Sequence, residues 1–181
     1  MIRLASSSTT RAQLLKEAGI EFIQQSVDFD EESIIASSPK NFVYLATIGK
    51  YEANLKYFGF NDYPLLVADT VVSSQGQILR KAKCVDDARN ILMTQSGNIT
   101  SIITCMIYQS PNIKIVDISS TDYIFSEFNL EDLENYLKSG EWRGKAGACM
   151  VEGFCKPYIT EVKGYESTAM GLNTELLNKF I

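Results

Sequence analysis

Histidine is absent from all 181 residues, and this one absence removes more chemistry than any other feature of the composition. No Ser–His–Asp triad, Cys–His dyad or His-ligated zinc can be assembled. Proton transfer must fall to Asp, Glu, Lys, Tyr or Cys, and a metal would be held by oxygen, which favours Mg²⁺ or Mn²⁺. Positive charge is also scarce: 17 Lys and Arg against 22 Asp and Glu leave a net charge of -5. No broad basic face therefore offers itself to DNA, RNA or an anionic membrane, whereas a small anion needs only a few converging cations. No apolar run reaches bilayer length, and the chain enters IRLAS without a charged n-region and apolar h-region, so a soluble cytoplasmic protein is expected. The four cysteines, Cys84, Cys105, Cys149 and Cys155, have no Cys-x-x-Cys spacing. In that compartment they are expected to pack as small buried hydrophobes without forming a disulfide.

What is present suffices for one sizeable core, since 45% of the residues are hydrophobic. MIRLASSS reads as a strand entering a hydroxyl-rich turn, and TTRAQLLKEAG as a helix ended by Gly19. IEFIQQSVDFDEES reads as extended chain. A long helix follows, with Ser38 as N-cap, Pro39 at its first position, and Phe42, Leu45, Ala46, Ala53 and Tyr57 on its buried face. Residues 65–81 read as two strands joined around SSQGQ, and VDDARNILMTQSG as a helix. Two long strands turn at Ser110, Pro111 and Asn112; a helix capped by Asn129 ends at Gly140; TELLNKF closes the chain as a short helix. The fold class is α/β over residues 1–181 as a single domain, with a mixed, largely antiparallel-containing sheet and flanking helices.

Three stretches carry candidate chemistry. LASSSTTR ends a strand and opens a helix, so backbone N–H groups, hydroxyls and the side chain of Arg11 suit a phosphate; ordinary helix capping is the alternative. DFDEES offers Asp28, Asp30, Glu31 and Glu32, either as a solvated turn or as oxygen ligands to a hard cation. In LLVADTVVSSQGQILRKAK, Asp69 ends an apolar run where an ionised carboxylate needs compensation. Neighbouring backbone N–H groups are one source of it. A hairpin returning Lys81 to the same end of the sheet is another, and Lys50 on the preceding helix is a third, unless Lys50 simply snorkels into solvent.

The ordered set LASSS..R..LL, DFDE, ADTVV with ILRKAK, SGN, YLKSGEWRGKAGA, EGF and a closing GL resembles the Maf family of nucleoside triphosphate pyrophosphatases, nearly end to end. The resemblance implies a two-lobed fold like that of inosine triphosphate pyrophosphatase and hydrolysis between the α- and β-phosphates, with a divalent metal, Mg²⁺ or Mn²⁺. It implies Asp69 as catalytic acid/base, Glu31 and Asp69 near the metal, Lys81 as a catalytic lysine, and Ser6, Arg11 and Lys50 at phosphate positions. Thr10, Thr70 and Glu152 fall where the family tunes base choice. A carboxylate at Glu152 suits the adjacent N–H donors of guanine better than it suits thymine or uracil. A homodimer is also implied, as is a small-molecule nucleoside triphosphate as partner, drawn from non-standard or surplus nucleotides. The chain departs from the family pattern at Thr10, where an arginine is common, at Arg80 and Ala82 in RKA, in SGNITSIIT, and in GLN near the end. Those departures, with the family's link to septum formation, leave a nucleotide-binding regulator of cell division with little turnover as the alternative function.

Overall fold

Leu65, Val67 and Asp69 alternate along one strand with Leu66, Ala68 and Thr70, and this period of two assigns each residue to a face before any helix is placed. The computed structural model describes residues 1–31 and 33–181; the candidate Glu32 lies outside the described residues. In chain order its elements are β1 (Ile2–Leu4), α1 (Thr9–Glu17), β2 (Phe22–Gln24), α2 (Pro39–Phe58), β3 (Leu65–Ser74), β4 (Gln77–Ile78), α3 (Val85–Gln95), β5 (Ile99–Gln109), β6 (Lys114–Phe125), α4 (Leu130–Ser139), β7 (Ile159–Lys163), α5 (Glu166–Met170) and α6 (Thr174–Leu177). The expected α/β class holds: the seven strands form one mixed sheet in the order β2-β1-β3-β5-β6-β7, with β4 on β3. β1 runs parallel to β2 and β3, while β4 and β7 pair antiparallel to β3 and β6.

The chain divides into two compact units, Met1–Thr70 with Ile103–Ser120 and Tyr165–Ile181, and Val71–Ile102 with Thr121–Gly164. In the first unit, Leu66 and Ala68 join Ile2, Leu4, Met106 and the buried side of α1 (Ala12, Leu14, Leu15) in one apolar cluster. Leu65 and Val67 join Ala5, Ile107 and Tyr51 of α2 in a second, so the two helices cover opposite faces of this part of the sheet. In the second unit, the ring of Tyr136 on α4 stacks on Phe154, and Arg89 of α3 pairs with Glu134 of α4. The Trp142 side chain is buried and donates its indole N–H to Leu137 O at 3.0 Å.

Several local expectations hold. Ser38 caps α2 through Asn41 N with Pro39 at its start, Asn129 caps α4, and Gly140 ends it in the left-handed conformation. Others do not. The buried face of α2 follows Phe42, Val43, Ala46, Thr47, Tyr51 and Asn54; Phe42 and Ala46 are buried as expected, but Leu45 and Ala53 are only half-buried and Tyr57 is 73% exposed. The sequence places α2 and the start of its buried face correctly but not the later part of that face, because the polar residues Thr47 and Asn54 occupy part of the inner stripe. Cys149 and Cys155 form a disulfide, against the expected free thiols; the turns between them bring their Cα atoms within 6.3 Å, which spacing and compartment arguments do not register. Of the free thiols, Cys105 is buried as expected and Cys84 is exposed. The short helix α5 forms in a stretch whose sequence carries no clear periodic pattern.

The acidic loop after β2 is held onto α2 at two points. Val27 N donates to Asn54 Oδ1 at 3.0 Å, while Asn54 Nδ2 donates to Lys50 O at 2.8 Å. One turn earlier, the ring of Phe29 lies over Gly49, and a Cβ built there would overlap the ring atoms. Gly→Ala inside a helix ordinarily gains about 1 kcal/mol from propensity. Here that gain is opposed by expulsion of Phe29, so Gly49→Ala is expected to leave the melting temperature within a few degrees while loosening residues 25–31. Limited proteolysis checks it: cleavage in that loop should rise several-fold, and an unchanged cleavage pattern would remove Phe29 as its anchor.

Candidate active site

Lys50 is the centre of the site. It lies on the inner stripe of α2, four residues from both Ala46 and buried Asn54, so its ammonium is aimed at the sheet and not into solvent. Its Nζ sits 2.6 Å from Asp69 Oδ1 and 2.5 Å from Glu31 Oε1. Asp69 is on the α2 face of β3, and its side chain is 10% exposed against 40% for Glu31. The compensation that Asp69 requires therefore comes from Lys50, the third of the three sources considered. Among the described residues Asp69 Oδ2 accepts no hydrogen bond, so one carboxylate oxygen remains for a further donor.

The opposite face of β3 leads to the start of α1. Ser8 caps that helix, accepting from Arg11 N at 3.3 Å. Gln24 of β2 donates to Ser6 O at 2.7 Å and Ser8 O at 3.2 Å, which fixes the turn while the first helical N–H groups stay without intrahelical partners. Ser6 Oγ accepts from Ser8 N at 3.2 Å and from Arg11 Nη1 at 3.1 Å. With both lone pairs engaged, the serine proton is available to an anionic oxygen. Burial lowers the pKa of Arg11 from its ordinary value, and Asp69, then Glu31, act in the opposite direction. The carboxylates thus help keep the guanidinium charged. A cleft of about 270 Å³ brings these groups together, lined by Ser6, Ser8, Arg11, Asp28, Glu31 and Lys50 among others.

A hard cation fits the donor set at one place. Glu31 and Asp69 each direct an oxygen to a common point, now neutralised by the Lys50 ammonium, and Asp28 lines the same cleft. No group of three or more His, Cys, Asp or Glu poised to hold a metal occurs among the described residues. The two carboxylates suit a hard cation only in the manner of Mg²⁺, which one or two carboxylates hold together with substrate phosphates; among the described residues they do not build an all-protein cage.

Thr10 is exposed in the first turn of α1, and Thr70 is hydrogen-bonded to Arg11 Nη2 at 3.0 Å. The β3–β4 ladder ends at Ile78, with Leu79 N still donating to Val72 O; Lys81 instead makes a bridge with Ala146 in the second unit. The segment it meets is pinned by Gln95 Nε2 on Gly147 O at 2.7 Å and by the Tyr136 hydroxyl on Ala148 O at 3.0 Å. Lys81 lines a cleft within that unit with Arg80, Lys83 and Asp87. Glu152 is exposed in the same unit. Gln24 and Asn54 shape the site from behind, and sequence reasoning does not find them. The available signal is a polar residue on an otherwise inward-facing stripe, four residues beyond Lys50.

The whole chain, residues 1–181, matches the model of the family described as Maf-like protein. It is 58% identical over 179 residues to a nucleoside triphosphate pyrophosphatase of a Nitratiruptor species, covering 98% of this chain and 96% of that protein. It is 41% identical over 172 residues to one of Helicobacter pylori, covering 95% and 90%. A third, from Campylobacter jejuni subsp. jejuni, is 36% identical over the full length of both chains. Full-length coverage at these identities, together with the match to the family model, places this chain in the Maf-like protein family.

Proposed function

We propose that this protein hydrolyses nucleoside triphosphates to the monophosphate and pyrophosphate, the activity named for its relatives. The observation that carries this reading is a half-used carboxylate, Asp69, held by Lys50 beside a cleft whose opposite side presents Ser6, Arg11 and a helix N-terminus. Those groups bind phosphate oxygens: the guanidinium and the helix end supply positive charge, and the Ser6 hydroxyl supplies a neutral donor. Asp69 accepts a proton from water as the water oxygen bonds to the α-phosphorus. The bond from α-phosphorus to the bridging oxygen breaks, and that oxygen leaves with pyrophosphate carrying the electron pair. Lys50, 2.6 Å from Asp69 Oδ1, orients the carboxylate. A divalent metal bound by Glu31 and Asp69 would neutralise charge on the triphosphate as it develops toward the leaving group. Lys81 is proposed as a catalytic lysine that neutralises phosphate charge, a reading supported by the sequence resemblance and by its place after the β3–β4 hairpin.

Incubation with Mg²⁺ or Mn²⁺ and a panel of nucleoside triphosphates should release pyrophosphate; orthophosphate as the direct product would show the reaction class to be wrong. Asp69→Asn should lower kcat by ~10²–10⁴-fold with an unchanged circular dichroism spectrum, since an amide cannot act as the base. Tight nucleotide binding without turnover, the same in Asp69→Asn, would instead favour the regulatory reading.

Lys50→Met tests the electrostatic centre. It removes the ammonium that contacts and orients both carboxylates, so turnover should fall by roughly 10²-fold. The loss should be visible even at saturating nucleotide. A change confined to KM would make Lys50 a substrate-binding cation only.

Base choice is a finer proposal. Guanine-type or modified nucleotides are favoured over thymidine triphosphate because Glu152 is acceptor-only, and Glu152→Gln shifts preference toward thymine and uracil. The ranking of kcat/KM for GTP, 7-methyl-GTP, UTP and dTTP in both proteins decides it, and a parent enzyme that prefers dTTP would end the idea.

A further inference from the structure

Two hydroxyls between Arg11 and α5 have their protons assigned by the atoms around them. Thr104 Oγ1 lies 2.7 Å from Thr168 O, and a carbonyl can only accept, so the single Thr104 proton points there. The 2.9 Å contact between the Thr70 and Thr104 hydroxyls must then be donated by Thr70. With its proton committed, Thr70 meets Arg11 Nη2 at 3.0 Å as an acceptor. Gly171 closes the circuit: its N–H donates to Thr168 O at 3.1 Å and its carbonyl accepts from Arg11 Nε at 2.9 Å. Thr104 and Thr168 are fully buried, so water does not compete, and each bond polarises the next. The direction of the whole chain is fixed from Arg11 to Thr70 to Thr104 to Thr168.

We propose that Thr104 is a positioning residue for catalysis, setting the acceptor that aims the Arg11 guanidinium without itself touching substrate. The proposal rests on the phosphate-binding role given to Arg11 above. Of the five guanidinium N–H donors, Gly171 O, Ser6 Oγ and Thr70 Oγ1 engage three. One remains on each η nitrogen, the number that a bidentate phosphate contact needs. Thr70 has no proton left to offer a base, so its influence on substrate choice passes through Arg11. Gly171 is constrained by the same circuit. Its φ is +110°, and a Cβ there would stand 3.2 Å from Arg11 Nε and 3.3 Å from Thr70 Oγ1.

Thr104→Val keeps the shape and removes the hydroxyl. It should weaken binding of a non-hydrolysable α,β-methylene nucleoside triphosphate and lower kcat/KM, each by about tenfold, the scale of one charge-linked hydrogen bond. Thr104→Ser should restore both. In an Arg11→Met background the same Thr104→Val change should leave the Kd of the analogue unaltered while its drop in melting temperature persists, which a merely structural role would not predict. An equal loss of affinity in both backgrounds overturns the proposal, as does wild-type affinity in folded Thr104→Val. Should Thr104→Val fail to fold, Gly171→Ala reaches the same guanidinium from its other side, and wild-type affinity there would count against the circuit. Arg11→Met with undiminished affinity would instead remove the phosphate role of Arg11, a distinct outcome.

Discussion

One ammonium between two carboxylates organises the first unit of this protein. Lys50 meets Asp69 and Glu31 at 2.6 and 2.5 Å, but the two contacts are not equivalent. Two unit charges 4 Å apart interact by about 4 kcal/mol at an effective dielectric near 20, whereas exposed pairs contribute roughly 0–1 kcal/mol after screening and side-chain ordering. Asp69, nearly buried on a central strand, belongs toward the first regime and Glu31, on a loop, to the second. The Asp69–Lys50 pair is therefore the fixed member of the site and Glu31 the adjustable one. Much of the surrounding structure limits that adjustment: Asn54 holds Val27 N and Lys50 O together, and Gly49 leaves room for Phe29.

The strand register extends this constraint to the rest of the cleft. Successive residues of β3 face opposite ways, so Asp69 serves α2 and Thr70 serves α1, one residue apart in sequence. A shift of one position would exchange the two faces, sending the carboxylate among Leu66-side apolar neighbours and the threonine toward Lys50. The apolar clusters on either side oppose such a slip, because Leu65 and Val67 on one face and Leu66 and Ala68 on the other are all buried. Packing thus fixes the chemistry through register.

How much of this could be read from the sequence follows the range of the interactions involved. Signals confined to a few residues were legible: Ser38 and Pro39 at the start of α2, Asn129 and Gly140 around α4, the turn at Ser110–Asn112, and the strand that ends in Asp69. Asp69 and Lys50 could be named because charge in an apolar setting needs partners, and Arg11 because it follows a hydroxyl-rich turn into a helix, whereas Glu31 and Ser6 take their roles from the resemblance to the Maf family. Their pairing could not, since it depends on the rotation of α2, and an apolar count placed Tyr57 inside where Thr47 and Asn54 lie. The returning strand of the hairpin has two residues, and the chain beyond it, Leu79 to Lys81, meets Ala146 and Gly147, partners far along the sequence that local signals do not register. The Cys149–Cys155 bond and the anchoring by Gln24 likewise rest on backbone approach, which composition does not encode.

The acidic balance of the chain is compatible with a cleft that takes anions because electrostatics at this scale are local. At physiological ionic strength charges separated by more than about 8 Å of solvent are largely screened, so the net charge of -5 does not decide what the cleft attracts. What decides it is the set of donors within it. Arg11 is desolvated, which by itself disfavours its charge, and the Asp69 and Glu31 carboxylates counter that penalty. The same acids that lower the net charge of the protein therefore help maintain this desolvated cation. Acidic residues and anion-binding groups are parts of one balanced arrangement, in which the carboxylates that contact Lys50 also offset the desolvation of Arg11.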